Sequence, residues 1–416
     1  MGVIIFLILY LLFFLAIDLY VYQALKTAFT TSSFYSYLYW GINILLYLTL
    51  IYVFMQFGSS ERRGFKLLGQ YLGIFVLFLL PKLVIIGVLL GEDIFRLFSG
   101  LWTSVTGSSK ESETGFFPSR RKFVSQLALV LSAIPFGAVL HGITRGKYDY
   151  EVKNLSLYFP DLPEAFEGYK IAQISDLHTG SFDNVEKVKY GIDLVNKQAA
   201  DLIVFTGDLV NSYADEVVPY MNILNQLSAK DGVISILGNH DYPKYMNGTE
   251  AEKQNNFQRI KEIHGELGYK LLLNENILIN KADQSMAIVG VENWSTSHYF
   301  PKVGDLNKSV IGLGPDQFKV LLSHDPTHWD AEVIDHPHKF HLTLSGHTHG
   351  GQFGIDIPGL KWSPVKFRYE RWAGLYTEKE QMLYVNKGFG YLAFPGRVGM
   401  WPEITVFTLH KGINQA

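Results

Sequence analysis

The stretch Leu344-Ser-Gly-His-Thr-His-Gly-Gly-Gln352 places two imidazoles one residue apart, just beyond an apolar run containing Phe340, Leu342 and Leu344. In an extended His-x-His the two side chains point to the same side, about 7 Å apart at the backbone. The neighbouring glycines let the chain turn sharply and approach other backbone closely. His347 and His349 can therefore serve one metal ion or two adjacent ones. The same design recurs, because apolar runs also end in Asp176-Leu-His178, Gly207-Asp208, Gly238-Asn-His-Asp241 and His324-Asp325. A pair of divalent cations about 3.5–4 Å apart needs one shared ligand, several neutral imidazoles and few further charges. Asp176, His178, Asp208, Asn239, His324, His347 and His349 supply that list.

Cysteine is absent, which excludes disulfides and thiolate metal sites. Any metal chemistry falls on nitrogen and oxygen donors, which suit manganese, iron or zinc. His328, His336, His338 and His341 lie close to the motifs in the chain but end none of the apolar runs. They read as surface histidines or as core histidines with local partners.

The elements that must carry these loops are strands near residues 170–175, 202–206, 233–237, 285–291, 319–323, 340–345, 382–386 and 403–409, with helices near 184–198, 215–228 and 250–267. A further strand-like segment is marked by Val152, Leu155, Leu157 and Phe159. Strands alternate with helices early and then stand mostly alone, which fits an α/β sandwich with ligands at strand ends. This soluble domain spans 146–416.

Residues 1–145 have a different character and form a helical transmembrane domain of about four spans. Val3–Tyr22, Tyr35–Phe57 and Leu67–Leu90 are each about long enough to cross a hydrocarbon core. Lys82 beside Pro81 falls inside the third. A charge there marks either a ligand or transport site, or a kinked helix whose lysine snorkels or faces the bundle interior. The segment 100–118 is rich in Ser, Gly and Thr and reads as a linker. Ser119-Arg-Arg-Lys-Phe123 followed by apolar Val124–Leu140 resembles a twin-arginine export signal and also fits a fourth span with a cytoplasmic basic start. Arg120, Arg121 and Lys122 then send the soluble part outward from a bacterial-type inner membrane, whereas Arg62, Arg63 and Lys66 argue for the opposite sidedness.

The whole chain has 416 residues, a net charge of −3 and no global basic field, so no nucleic-acid partner is expected. The length suffices for a large core in the second half alone. Oligomeric state leaves no trace in the sequence.

Taken in order, Asp176-x-His178, Gly207-Asp208, Gly238-Asn-His-Asp241, His324 and Gly346-His-x-His349 resemble the five-block signature of the calcineurin-like metallophosphoesterases. The likeness covers roughly residues 150–410. It implies a sandwich of two mixed sheets flanked by helices and two divalent metal ions. Asp176, His178 and His349 would hold the first, Asn239, His324 and His347 the second, and Asp208 would bridge them. The resemblance further implies that a metal-bound hydroxide attacks phosphorus in line, while His240 contacts the phosphate and serves the leaving oxygen. Asp241 would either orient His240 or cap the turn that follows it. Arg397 would either clamp phosphate or pair with a carboxylate such as Glu403.

The motif details at Ile174–Gly180, Gly350-Gly-Gln352 and Gly388…Pro395-Gly-Arg397…Pro402-Glu-Ile404 are similar to a membrane-associated branch of that family. That branch includes twin-arginine-exported phosphoesterases and enzymes that cleave the pyrophosphate of UDP-diacylglucosamine in lipid A synthesis. The expected activity is hydrolysis of a phosphoester or pyrophosphate bond in a lipid-linked or amphiphilic substrate, with UDP-diacylglucosamine the leading example. That example requires a cytoplasmic site. A general envelope phosphodiesterase or phosphatase without lipid specificity is the alternative, and a membrane sensor or transporter with a non-catalytic module is another. Trp294, Phe300, Trp362, Trp372 and Trp401 line an apolar entrance for acyl chains, dip into the headgroup region or serve in ordinary packing.

Overall fold

The computed structural model describes residues 2–29, 33–57, 61–106 and 118–413. The chain divides into two compact units, Met1–Ile143 and Thr144–Ala416.

The first unit contains four helices, α1 (Gly2–Ala28), α2 (Ser33–Phe57), α3 (Glu61–Thr106) and α4 (Pro118–Thr144). Each carries a stretch long and apolar enough to cross a membrane. The third helix departs from expectation, since it runs past both ends of Leu67–Leu90 and absorbs residues 100–106 of the expected linker. Leu97, Phe98, Leu101, Trp102 and Val105 continue its apolar spacing, which outweighs the local Ser and Gly content. Residues 107–117 of that linker lie outside the described residues.

Lys82 faces the bundle interior, with Nζ 2.6 Å from Asp18 Oδ1 and 2.5 Å from Asn43 Oδ1. The Tyr47 hydroxyl donates to the other Asp18 oxygen, and Tyr39 donates to the Asp18 carbonyl. A charge that would be costly in hydrocarbon is thus paired across three helices. Of the expected export-signal arginines, Arg121 reaches Glu92 at 3.1 Å and Asp93 at 2.5 Å, and Arg120 lies 3.6 Å from Glu92.

The second unit is built on two six-stranded sheets. Its strands are β1 (Glu151–Phe159), β2 (Lys170–Ile174), β3 (Leu202–Phe205), β4 (Val233–Ser235), β5 (Tyr269–Leu271), β6 (Glu275–Lys281), β7 (Gln284–Gly290), β8 (Lys319–Leu322), β9 (Leu342–Ser345), β10 (Ile355–Ile357), β11 (Leu360–Trp362), β12 (Gly374–Glu378), β13 (Gln381–Val385) and β14 (Glu403–Lys411). One sheet has the order β1-β14-β2-β3-β4-β5 and the other β12-β13-β9-β8-β7-β6, while β10 and β11 form a separate ribbon. Both sheets are mixed, with a parallel centre and antiparallel pairings at β14–β2, β12–β13 and β6–β7.

The central strands β2, β3, β8 and β9 read as continuous apolar runs because both faces are covered. In β2 and β3, Ile171, Leu202 and Val204 face the inter-sheet core with Ile288, Val320, Leu342 and Phe407. Ala172, Ile174, Ile203 and Phe205 face the opposite way, toward α5 (Val185–Lys197) and α7 (Glu250–Glu266), where Val188, Ile192, Ile260 and Ile263 are buried. Between those helices the expected helix 215–228 is instead a tight 3-10 stretch, Ala214–Tyr220, followed by the single turn α6 (Met221–Leu224). Pro219 supplies no N–H for a regular helix there. Gln173 ties the two sheets together by donating to Thr206 Oγ1 at 3.0 Å and to the Ser345 carbonyl at 2.9 Å.

One ionic network underlies the strand ends. Lys387 Nζ is fully buried, 2.8 Å from Asp356, 3.2 Å from Glu151 and 3.5 Å from Glu403. Burial opposes charge on Glu403, but Lys387 and Lys153 hold its carboxyl below the usual range. Lys387→Met should therefore leave buried carboxylates short of a cation and cost ~3–5 kcal/mol, toward the low end because Lys153 remains. Thermal unfolding of the full chain should show this as a clear drop in Tm. Glu151→Gln, at a carboxylate more than a third exposed, should change little.

Candidate metal centre

The C-terminal ends of β2, β3, β4, β8 and β9 converge, and each delivers a short polar loop to one buried place. Asp176, His178, Asp208, His347 and His349 all adopt left-handed backbone, with φ of 53°, 48°, 61°, 71° and 53°. Such conformations cost of order 1–3 kcal/mol each and persist only where the surroundings enforce them. Here the loops enforce one another: Asp176 N donates to the Gly207 carbonyl, His178 N to the Asp208 carbonyl and Gly346 N to the His324 carbonyl, at 2.9–3.1 Å.

Close approach explains two of the glycines. A Cβ on Gly238 would collide with Asp208 Oδ1, and one on Gly346 with Ser175 Oγ and Asp176 Oδ2. Gly346→Ala should thus displace Asp176 itself. The expected result is a destabilisation of ~1–3 kcal/mol, as for other overpacked sites, together with weakened metal affinity in a titration of the purified chain.

Two groups of donors emerge, Asp176 with His178 and His349, and Asp208 with His324 and His347. Within each, the donor atoms lie within 4.8 Å of one another. The groups meet, because His178 Nε2 is 3.1 Å from His349 Nε2 and 3.4 Å from Asp208 Oδ2. Asp208 Oδ2 is also 3.2 Å from His324 Nε2, and Asn239 Oδ1 is 3.2 Å from that same nitrogen. His349 Nε2 lies 3.3 Å from Asp176 Oδ1. All seven residues singled out in the sequence are therefore brought together.

This donor set fits metal ions on its own chemistry. The Thr206 carbonyl lies 2.7 Å from His324 Nδ1, and since a carbonyl only accepts, Nδ1 carries the hydrogen. In neutral His324 the Nε2 lone pair then faces two oxygens, those of Asp208 and Asn239, and three acceptors converging require a positive charge between them. Without a metal a proton takes that place. Burial disfavours the charged imidazole, yet Asp208 pushes its pKa up to about 10. Burial, followed by the neighbouring His178 and Arg397, drives His349 well below its ordinary value. Asp208 is held well below the carboxylate range, against burial, by His324 and His240. His178 Nδ1 is a buried polar atom that no hydrogen bond satisfies among the described residues.

His240 borders the centre, its ring 4.9 Å from that of His178. The Asn211 carbonyl holds Nδ1 at 2.8 Å, and Tyr245 stacks on the imidazole at 4.1 Å with 9° between planes. Burial lowers its pKa to about 4.

Two expectations need correction. Asp241 does not orient the His240 ring; its carboxylate accepts from the backbone N–H of Asp208, Leu209, Val210 and Gly238 at 2.8–3.3 Å, so it binds the β3 and β4 loops together. Arg397 is neither a phosphate clamp nor a partner of Glu403. Fully buried, its guanidinium donates to the carbonyls of Gly390, His349, Met400 and Lys387 and lies 3.3 Å from His349 Nδ1. Both polar side chains are consumed by backbone groups that would otherwise be buried without partners.

Other contributors carried no signal in the sequence. Tyr245 accepts from Asn239 Nδ2 at 2.9 Å, which fixes the amide with its oxygen toward the centre. Tyr369 OH lies 2.8 Å and Asp325 Oδ2 3.4 Å from His347 Nε2. Burial opposes charge on Asp325, but His347 keeps its carboxyl below the usual range. Only Asp325 was traceable, as the neighbour of His324. Of the tryptophans, Trp294 and Trp372 are buried, whereas Trp362 is exposed on the ribbon.

Comparison with known proteins adds independent findings. Residues 169–351 match the family model for the calcineurin-like phosphoesterase domain, and residues 3–147 match a model described as a probable calcineurin-like phosphoesterase transmembrane domain. The metallophosphoesterase YkuE of Bacillus subtilis is 31% identical over 305 residues, which cover 70% of this chain and 97% of that protein. A transmembrane protein with a metallophosphoesterase domain from Danio rerio is 26% identical over 89% of this chain and 80% of its own length. The phosphodiesterase YaeI of Escherichia coli is 26% identical over 70% of this chain and 99% of its own.

Proposed function

This chain belongs to the calcineurin-like metallophosphoesterases, metal-dependent hydrolases of phosphoric esters, and from that premise we propose that it cleaves a lipid-linked or amphiphilic phosphate through a dinuclear centre. The observation that carries this reading is the meeting of two donor groups at a shared Asp208. Asp176, His178 and His349 would hold one divalent ion, and Asn239, His324 and His347 the other. When bound, the ions supply Lewis acidity toward the phosphoryl oxygens and a nucleophile ionised near neutrality.

The protein's own groups do the rest. The Asn211 carbonyl fixes His240 with its Nδ1 hydrogen turned away, which leaves Nε2 as the edge available to substrate. A bound phosphate would favour the imidazolium that burial otherwise suppresses. His240 then donates to a phosphoryl oxygen or to the departing oxygen. Tyr245 holds the ring in that plane. Asp241, by locking the β3 and β4 loops, and Arg397, from behind His349, act as positioning residues.

Four membrane helices favour substrates that concentrate in the bilayer, and UDP-diacylglucosamine is among them only with the catalytic unit on the cytoplasmic side. A second reading is a general phosphodiesterase or phosphatase without lipid specificity; the Escherichia coli relative is named a phosphodiesterase. Purified full chain should be given a soluble aryl phosphodiester and an acylated pyrophosphate in parallel. A clear preference for the acylated compound supports the first reading; equal rates support the second. Absence of hydrolysis in both, with metals bound, would favour a binding module over an enzyme. For sidedness we place the catalytic unit outside the cytoplasm. Protease protection of that unit in inside-out vesicles is expected, and cleavage there would reverse the assignment and admit nucleotide-linked substrates.

A further inference from the structure

The ribbon formed by β10 and β11 is inverted relative to an ordinary surface hairpin. Its register pairs Ile355 with Trp362, Asp356 with Lys361 and Ile357 with Leu360. Strand alternation therefore puts Ile355, Ile357, Leu360 and Trp362 on one face and Asp356 with Lys361 on the other. The charged face bonds to the body of the unit, with Asp356 half-buried and Lys361 exposed. Asp356 Oδ2 is 2.8 Å from the buried Lys387 Nζ and 3.1 Å from Lys153, and Lys361 Nζ donates to the Ala373 carbonyl at 2.8 Å. The apolar face is left to solvent, with Ile357 57%, Leu360 50% and, in the turn that follows, Phe367 79% exposed.

This orientation is fixed by the ionic network beneath it, since turning the ribbon over would strip Lys387 of its nearest carboxylate. A contiguous apolar surface held outward in this way marks a site of contact. The nature of the contact follows from its neighbours. Lys366 and Arg368 are exposed beside Phe367, and among the described residues neither has a carboxylate partner. Aliphatic residues, an edge tryptophan and adjacent cations are the chemistry of a protein surface that sits at lipid headgroups. The helices of the same chain keep a bilayer within reach at all times.

We propose that the outward face of β10–β11 and the turn Pro364–Arg368 dock onto an anionic membrane surface, with Trp362 and Phe367 at headgroup level. The docked surface continues to the lip of the metal centre, because the Arg368 guanidinium lies 5.9 Å from the Phe300 ring, which itself is 4.9 Å from the ring of His347. Docking of this kind concerns membrane contact and holds whether or not the substrate is a lipid.

The absence of cysteine makes the test clean. Full-length Ile357→Cys, Leu360→Cys, Phe367→Cys and, on the helical side of the first sheet, Val218→Cys each accept one environment-sensitive fluorophore. They are reconstituted into vesicles of phosphatidylcholine with phosphatidylglycerol, or of phosphatidylcholine alone, containing a nitroxide-labelled lipid. Blue-shifted emission and several-fold stronger quenching are expected at the ribbon and turn positions than at Val218→Cys. Both signals should weaken without phosphatidylglycerol and in Lys366→Glu/Arg368→Glu. Equal quenching at all four positions would overturn the proposal, and so would a signal that follows protein density, which would mean that a second copy covers the face. The readout requires no turnover, so its failure leaves the phosphoesterase reading intact.

Discussion

His240→Ala is expected to lower turnover by about 100- to 10,000-fold, as loss of a positioned proton donor typically does, while metal content stays unchanged. The separation of the two effects follows from the geometry. The contact of His240 with Asp208 is made by the backbone N–H, at 2.7 Å to Oδ1, and alanine preserves it. The imidazole is held from outside the donor cluster, by the Asn211 carbonyl and by Tyr245. A large fall in kcat with full metal occupancy is the expected pattern. Wild-type turnover in the variant would remove His240 from the chemistry, and metal loss would make it part of the scaffold.

Asp208→Asn should weaken both metal positions together. Its Oδ2 lies 3.4 Å from His178 Nε2 and 3.2 Å from His324 Nε2, so a single carboxylate oxygen touches both donor groups. The other oxygen accepts from His240 N. An amide at this position removes the negative charge between two cation sites, and an NH2 group turned toward either would repel metal. Outer-shell substitutions cost about 10- to 100-fold in metal affinity; removal of the shared charge should exceed that at both positions. Elemental analysis after dialysis gives the answer directly. Loss confined to one position would show that Asp208 serves a single ion.

The parts of this centre that could be read from sequence are those where a residue type and its place in the chain coincide. Asp176-x-His178 and His347-x-His349 follow apolar runs at once, and a strand must end where such loops begin. Asp241 and Arg397 show the limit of that reasoning. A carboxylate beside a histidine and an arginine in a glycine-rich loop look alike whether they meet substrate or backbone, and only the fold shows that both are spent on buried N–H and carbonyl groups. Tyr245, Tyr369 and Asn211 left no trace because their contacts are made through space by side chains or carbonyls that any loop could carry.

The same holds for the elements. β2, β3, β8 and β9 stood out as apolar runs, and α7 as a helical stretch near residues 250–267. The strand β6 did not, since Asn276, Asn280 and a charge at each end dilute its apolar character. The ribbon β10–β11 alternates as a half-buried hairpin should, but alternation does not tell which face is inside. Lys387, far away in the chain, decides it.

X-ray absorption at the metal edge of the purified, metal-loaded full chain tests the central claim most directly. A first shell of nitrogen and oxygen at about 2.0–2.2 Å and a second metal at about 3.5–4 Å are predicted. A spectrum with light-atom ligands and no metal scatterer at that separation would contradict a twin centre.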